Sequence, residues 1–123
     1  MATVEPTGEQ LKKFTTLSDE KPVVMINLLK FKPEGGVESY AKYSETSLRL
    51  ISELGGRILY YGQYEMPLIG NEDWDVVILV EYPSRAAFLK MVQNKEYQAA
   101  VHYRREALTD SRLYATKSLN YGA

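Results

Sequence analysis

The chain has 123 residues, no cysteine, and 15 Lys and Arg against 16 Asp and Glu, for a formal net charge of −1. This length predicts one domain, and the lack of cysteine excludes a disulfide framework, a thiolate metal site and a cysteine nucleophile. The balanced charge does not favour nucleic-acid binding, and the polar residues 1–20 and short apolar runs predict neither a signal peptide nor a membrane span, so we expect a cytoplasmic protein.

A short helix is predicted within residues 1–21, which we take as a lead-in to the main domain. Thr7 and Gln10 have the spacing of a capping box. Three apolar residues then follow at helical spacing: Leu11, Phe14 and Leu17. Pro22 ends the pattern because proline disfavours helical backbone in the residue before it. We expect this helix to pack at an edge of the domain.

The rest of the chain repeats one order of patterns, strand, helix and strand. The predicted elements are strand 23–31, helix 37–54, strand 57–69, strand 74–82, helix 84–108 with a break at Asn94-Lys95, and strand 112–119. Ser84 is the predicted N-cap of the second long helix, and Gly55-Gly56 ends the first one. Two such units in tandem predict an α+β class, ferredoxin-like βαββαβ sandwich over residues 22–119, with 120–123 as a loose tail.

The strand patterns also predict positions in the sheet. Segments 23–31 and 74–82 are apolar on both parities, which is typical of central strands, whereas Gly62 and Pro67 indicate a bulge or an edge position in segment 57–69. The helices of this fold cover one sheet face, and the other face would expose an apolar patch too large for a monomer. We therefore expect a homodimer that pairs through the open face, forming a dimeric α+β barrel. The alternative is that the N-terminal helix folds across its own sheet.

Several short strings spread over residues 22–119 are distinctive. They are Asn27-Leu28-Leu29-Lys30-Phe31, Tyr40-Ala41-Lys42-Tyr43, Gly55-Gly56-Arg57, Trp74-Asp75, Tyr82-Pro83-Ser84-Arg85-Ala86-Ala87-Phe88, Glu96-Tyr97-Gln98, Arg104 and Asp110-Ser111-Arg112-Leu113. With them the chain resembles the DUF1330 family. The resemblance implies the dimeric α+β barrel superfamily and a homodimer. The family has no settled activity, and its superfamily includes cofactor-free and heme-degrading monooxygenases, lactone isomerases and binding proteins.

Arg104 is the strongest candidate for a functional residue. Helical spacing places it with Tyr97, Val101 and Leu108, on the face turned toward the sheet. A guanidinium buried there needs an anionic or carbonyl partner. It is either an anion clamp at a pocket or the partner of a structural carboxylate, for which the sequence offers three candidates: Asp75, Glu81 and Glu65.

Two further polar residues fall on predicted central strands. Asn27 either binds a substrate carbonyl or an oxygen intermediate, or forms a core or dimer-axis hydrogen bond. Asp75 either acts as a general base or pairs with a nearby cation. The candidate catalytic residues are therefore Asn27, Asp75 and Arg104, and the candidate substrate-binding residues are Tyr40, Tyr61, Trp74 and Tyr97. The tyrosines line a cavity or simply pack within the fold.

The sequence lacks the residues that heme or metal binding would need. His102, the single histidine, lies with polar residues on a predicted solvent face, and segment 84–94 lacks the histidine that heme-degrading relatives use. We expect no metal and no cofactor. Two functions remain open. The first is a homodimer that binds a small organic molecule, with or without its oxygenation or isomerisation in the absence of a cofactor, and the second is a non-catalytic dimeric binding or structural module.

Overall fold

The computed structural model describes residues 3–16 and 20–119. The elements in chain order are α1 (Gly8–Thr16), β1 (Val23–Phe31), α2 (Gly36–Glu53), β2 (Arg57–Gln63), β3 (Val76–Tyr82), α3 (Arg85–Gln93), α4 (Lys95–Ala107) and β4 (Leu108–Thr116). The strands form one antiparallel sheet in the order β2-β3-β1-β4. This is the ferredoxin-like order, so the predicted fold class is confirmed, and β1 and β3 are the central strands as expected.

Side-chain caps fix the starts of α1, α3 and α4. Thr7 and Gln10 form the predicted capping box, with Thr7 N donating to Gln10 Oε1 at 2.9 Å and Gln10 N donating to Thr7 Oγ1 at 3.1 Å. Ser84 Oγ accepts from Ala87 N at 3.1 Å at the start of α3. The predicted break lies at Asn94, which is extended and accepts from Glu96 N at 2.8 Å to begin α4. Leu17 and the predicted tail 120–123 lie outside the described residues.

Several predicted strand boundaries are wrong. β2 ends at Gln63 instead of residue 69, and the ladder continues only through the bond from Tyr64 N to Asp75 O at 3.0 Å. Pro67 has no N–H for a ladder, and Gly70 takes a φ of 91°, so the chain leaves the sheet as a loop. β3 accordingly begins at residue 76 instead of 74, and β4 spans 108–116 instead of 112–119. β2 is nevertheless an edge strand, as Gly62 and Pro67 predicted.

The core lies between the helices and one face of the sheet. The sheet contributes to it the residues of one parity from β1 and β3: Val23, Met25, Leu29, Ile78, Val80 and Tyr82. Aromatic residues of the helices pack on them, with Tyr43 at 5.8 Å from Tyr97 and Phe88 at 5.2 Å from Tyr82, measured between ring centroids. Because these side chains leave the sheet on the same side, the helices cover that side only.

The side chains of the opposite parity lie on the open face of the sheet, where they form an apolar row across all four strands. Ile26 lies opposite Leu79 on one side and Tyr114 on the other, and Tyr60 lies opposite Leu79. Tyr60 and Tyr114 are 54% and 48% exposed, and Ile26 and Leu79 are half-buried. Helix α1 does not cover this row, because its Phe14 packs edge-on against the core residue Phe88 on the helical side. The alternative in which α1 folds across the open face is therefore wrong.

Candidate functional site

A cavity of about 290 Å³ lies between the helices and the core side of the sheet. Its floor comes from β1 and β3, through Met25, Asn27, Ile78 and Val80. Its walls come from α2 and α4 and are rich in hydroxyl groups: Tyr40, Tyr43, Ser44, Ser47 and Tyr97. The volume is at the low end of the range typical of ligand pockets, about 300–1,000 Å³. The cavity therefore suits a compact small molecule.

The cavity brings together most of the residues predicted from the sequence. Five of them line it: Asn27, Tyr40, Tyr61, Tyr97 and Arg104. The other two do not. The Asp75 carboxylate accepts a hydrogen bond from Phe31 N at 2.8 Å, and the Trp74 indole N–H donates to Glu72 Oε1 at 2.9 Å beneath the Arg112 guanidinium. In these positions both residues stabilise the start of β3.

Arg104 is a buried cation in the cavity wall. Its side chain is 9% exposed, and its Nη1 donates to the main-chain oxygen of Val4 at 2.6 Å. Among residues 3–16 and 20–119, no carboxylate lies at ion-pair distance from this guanidinium. Glu81, one of the partners considered above, pairs instead with Arg57 at 3.1 Å. The Arg104 guanidinium therefore has two neutral partners, the Val4 carbonyl and the adjacent Tyr40 hydroxyl, and no anionic one among the described residues.

The tyrosines beside Arg104 are protonated at neutral pH. Burial raises the pKa of Tyr40 to about 12, although the positive charge of Arg104 acts in the opposite direction. Burial also holds the pKa of Tyr43 well above its ordinary value, and the Tyr43 hydroxyl lies 3.0 Å from that of Tyr97. Tyr40 and Tyr43 therefore keep their protons, and in the Tyr43–Tyr97 contact one hydroxyl donates to the other. The wall thus offers neutral hydrogen-bond donors around a fixed cation.

Asn27 supplies an amide to the floor. It is half-buried on β1, where its neighbours across the sheet are Ile78 and Leu113. Its Nδ2 lies 3.5 Å from the Ile78 oxygen, at the outer limit of a hydrogen bond. Because this bond is weak, the amide remains available to a ligand that enters the cavity.

Residues 3–7, here called the N-terminal strap, close one side of the cavity. Thr3 N donates to Asp110 Oδ1 at 2.9 Å, and Ser111 Oγ donates to Thr3 O at 2.8 Å, which anchors the strap along β4. Val4, Glu5 and Pro6 then reach the cavity. This wall could not be predicted from the sequence, because an extended segment has no periodicity and its partners lie about a hundred residues away in the chain.

The strap is expected to loosen in acid. The backbone N–H of Thr3, followed by that of Ser111 and by Arg112, holds the pKa of Asp110 below its ordinary value. A depressed folded-state pKa stabilises the anchor above the unfolded value of about 3.9 and stops doing so as the pH falls through the folded value. The NMR amide resonances of Thr3 and Ser111 should therefore shift together below about pH 4.

The variant Asp110→Asn should loosen the strap at neutral pH, whereas Glu38→Gln on α2 should not. Equal protection of the strap amides from hydrogen exchange in both variants would contradict the role of Asp110 as the anchor.

Other potential chemistry is limited in the described chain. His102 lies on the solvent side of α4, with Nδ1 2.6 Å from Glu106 Oε2, and this contact lowers the pKa of Glu106. Residues 3–16 and 20–119 contain no group of three or more His, Cys, Asp or Glu arranged to hold a metal ion. No helix in the same ranges has the length and apolar character that a membrane span requires.

Comparison with known proteins places the chain in a family without an assigned activity. A family model described as "Domain of unknown function (DUF1330)" matches residues 35–116. This range contains α2, β2, β3, α3, α4 and β4, and therefore both helical walls of the cavity. A search of curated proteins found no match.

Solved structures show the same fold. A protein of unknown function from Rhodopseudomonas palustris is 37% identical and superposes with a TM-score of 0.93, over 98% of this chain and 99% of that one. A dimeric ferredoxin-like protein of unknown function from Jannaschia sp. is 16% identical, with a TM-score of 0.62 over 79% and 99% of the two chains. A NIPSNAP family protein from Agrobacterium tumefaciens is 14% identical, with a TM-score of 0.58 over 86% and 93%. The last two similarities concern the fold alone.

Proposed function

This chain belongs to the DUF1330 family of domains of unknown function, and we propose that it is a homodimeric protein that binds a small organic molecule in the cavity around Arg104. The observation that carries the proposal is the shared position of Arg104 and Asn27 in one cavity of about 290 Å³. A buried cation and an under-used amide are costly in a filled core, and a ligand would satisfy both. A purely structural module would have no need of either group at an internal surface.

The homodimer is supported by the open face. The row formed by Tyr60, Leu79, Ile26 and Tyr114 leaves apolar side chains partly in water. The ferredoxin-like protein from Jannaschia sp. is described as dimeric. Pairing the same face of two protomers about a two-fold axis would bury this row in both. The two cavities would then lie on the outer sides of the paired sheets, each beneath its own helices.

Catalysis without a cofactor is the second candidate function. The Tyr43–Tyr97 hydroxyl pair and the Arg104 guanidinium are arranged as donors that could stabilise the oxygen of an enolate, as oxyanion holes do. Such a site suits oxygenation or isomerisation of an enol-like carbon. The general base proposed from the sequence, Asp75, does not line the cavity. Binding is therefore better supported than proton abstraction by that carboxylate. A non-catalytic binding module is the simplest form of the proposal, because it requires no general base in the cavity.

Retention of a ligand gives the test. Native mass spectrometry of the purified full chain should show a dimer that carries a small molecule, which is released on denaturation and identified in the extract. Ser44→Phe places a ring in the cavity and should abolish retention, whereas Ser52→Phe on the exposed side of α2 should not. The proposal fails if wild type and Ser44→Phe retain the same molecules in the same amounts, or if neither retains any.

A further inference from the structure

We propose that the ligand of this cavity is a small organic monoanion whose carboxylate binds the guanidinium of Arg104. This inference rests on the proposed function and names the chemical class of the ligand. It follows from the charges and hydrogen-bonding groups that line the cavity, taken together with the absence of a protein counter-ion for Arg104 among the described residues.

The Arg104 side chain is a buried cation. Arginine stays protonated in proteins, so a side chain that is 9% exposed brings a full positive charge into the wall. An uncompensated buried charge is destabilising, and the carbonyl of Val4 offsets only part of it. The guanidinium has further N–H donors beyond the one that Val4 accepts. A carboxylate in the cavity would take those donors and neutralise the charge.

Apart from Arg104, the lining of the cavity carries no excess charge. Glu5 is the one carboxylate among the lining residues of the described chain, and its Oε2 lies 3.5 Å from Arg105 Nη1 at the cavity mouth. Tyr40 and Tyr43 are neutral because burial raises their pKa values. The lining therefore carries two cations against one anion, and the excess positive charge belongs to Arg104. A neutral or cationic ligand would leave that charge uncompensated.

The cavity favours a carboxylate over a phosphate as the anionic group of the ligand. The guanidinium fork matches both, but a phosphate brings about two negative charges at neutral pH, and Arg105 is already paired with Glu5. The floor and walls beyond Arg104 are largely apolar or aromatic, including Met25, Ile78 and Phe88. One charged end and one apolar body therefore fit the site, and its small volume favours a single ring or a short chain.

Matched acid and amide pairs test the inference on the wild-type full chain. The probes are benzoate with benzamide, 4-hydroxybenzoate with its amide, and hexanoate with hexanamide, plus inorganic phosphate, each at millimolar concentration. Binding is measured by calorimetry and located by NMR shifts of Asn27 and Tyr97. We expect at least one acid to bind in the cavity about tenfold or more tighter than its amide, because a bidentate ion pair replaces a hydrogen bond from the guanidinium to a neutral carbonyl.

Variants then assign the preference to Arg104. Arg104→Gln should remove the advantage of the acid and leave the affinity for the amide almost unchanged, and Arg104→Lys should retain part of it. Arg49→Gln removes an exposed arginine outside the cavity, which pairs with Glu53 on α2 and Glu96 on α4, and it should leave the preference for the acid over the amide unchanged. The wild-type comparison does not depend on whether Arg104→Gln folds.

Each outcome separates this inference from the proposed function. Amides that bind in the cavity as tightly as their acids overturn the anionic ligand and leave the binding function intact. Phosphate that binds where every acid fails overturns the organic class. If no acid shifts the cavity resonances, the monocarboxylate assignment is overturned, and the retention experiment with Ser44→Phe then decides the proposed function separately.

Discussion

Leu29→Ala is expected to lower the free energy of unfolding by about 2–5 kcal/mol, because it removes a fully enclosed side chain from the centre of the core. Leu29 is 0% exposed and lies on β1, between Val76 of β3 and Ser111 of β4. Strands on both sides and helices above prevent collapse around the missing atoms, so the cavity term adds to the lost transfer free energy. Urea denaturation at a fixed protomer concentration measures the change.

A matched substitution controls for the change of residue type. Leu119→Ala removes the same atoms from a side chain that is 89% exposed, and it should alter stability by less than about 0.5 kcal/mol. Leu29 does not line the ligand cavity, so Leu29→Ala should keep ligand retention while the protein stays folded. An effect of Leu29→Ala no larger than that of Leu119→Ala would contradict the central position of β1 in the core.

The element order could be predicted from the sequence because periodicity reports burial directly. β1 is apolar on both parities since one set of its side chains faces the core beneath the helices and the other set belongs to the apolar row of the open face. Its predicted bounds match the structure. The break at Asn94 was visible for a different reason, because an asparagine there caps the following helix with its own side chain. Both predictions depend only on residues that are close together in the chain, and the structure agrees with both.

The strand ends could not be predicted because they depend on neighbouring strands. Residues 64–69 look like a strand in sequence, but β3 offers a partner only as far as the bond between Tyr64 and Asp75. In the same way β4 begins directly at Leu108, where the backbone becomes extended and pairs with Phe31. The sequence contains neither limit, since each is set by where a distant strand begins or ends.

The candidate site illustrates both limits of prediction. Arg104 was identifiable because a charged residue interrupts an apolar helical stripe with Tyr97 and Val101, and a buried guanidinium needs a partner. The identity of that partner, Val4 O, was not identifiable, because contacts of an extended strap leave no pattern. The sequence prediction grouped Asp75 with Asn27 and Arg104, but Asp75 does not line the cavity. Ile78, three residues further along the extended chain, does line it, because residues an odd number apart face opposite sides of a sheet.

Ile26→Lys is expected to dissociate the proposed homodimer without unfolding the protomer. Ile26 is half-buried at the middle of the open face, between Leu79 and Tyr114. In a single protomer the lysine stem can lie along the sheet while its ammonium group reaches water. In a two-fold dimer the same substitution places an ammonium group in each half of the interface. An uncompensated buried charge costs about 3–5 kcal/mol, which raises the dissociation constant by a factor of about 100 or more.

Sedimentation equilibrium and circular dichroism together decide the outcome of Ile26→Lys. Val37→Lys introduces the same charge on α2, at a side chain that is 62% exposed on the helical side, and it should leave the dimer intact. If Ile26→Lys remains a dimer with the affinity of the wild type, the protomers associate through another surface. If the wild type itself is a folded monomer at micromolar concentration, the open face tolerates water and the homodimer is wrong. The cavity would still stand in that case, because its floor and walls all belong to one protomer.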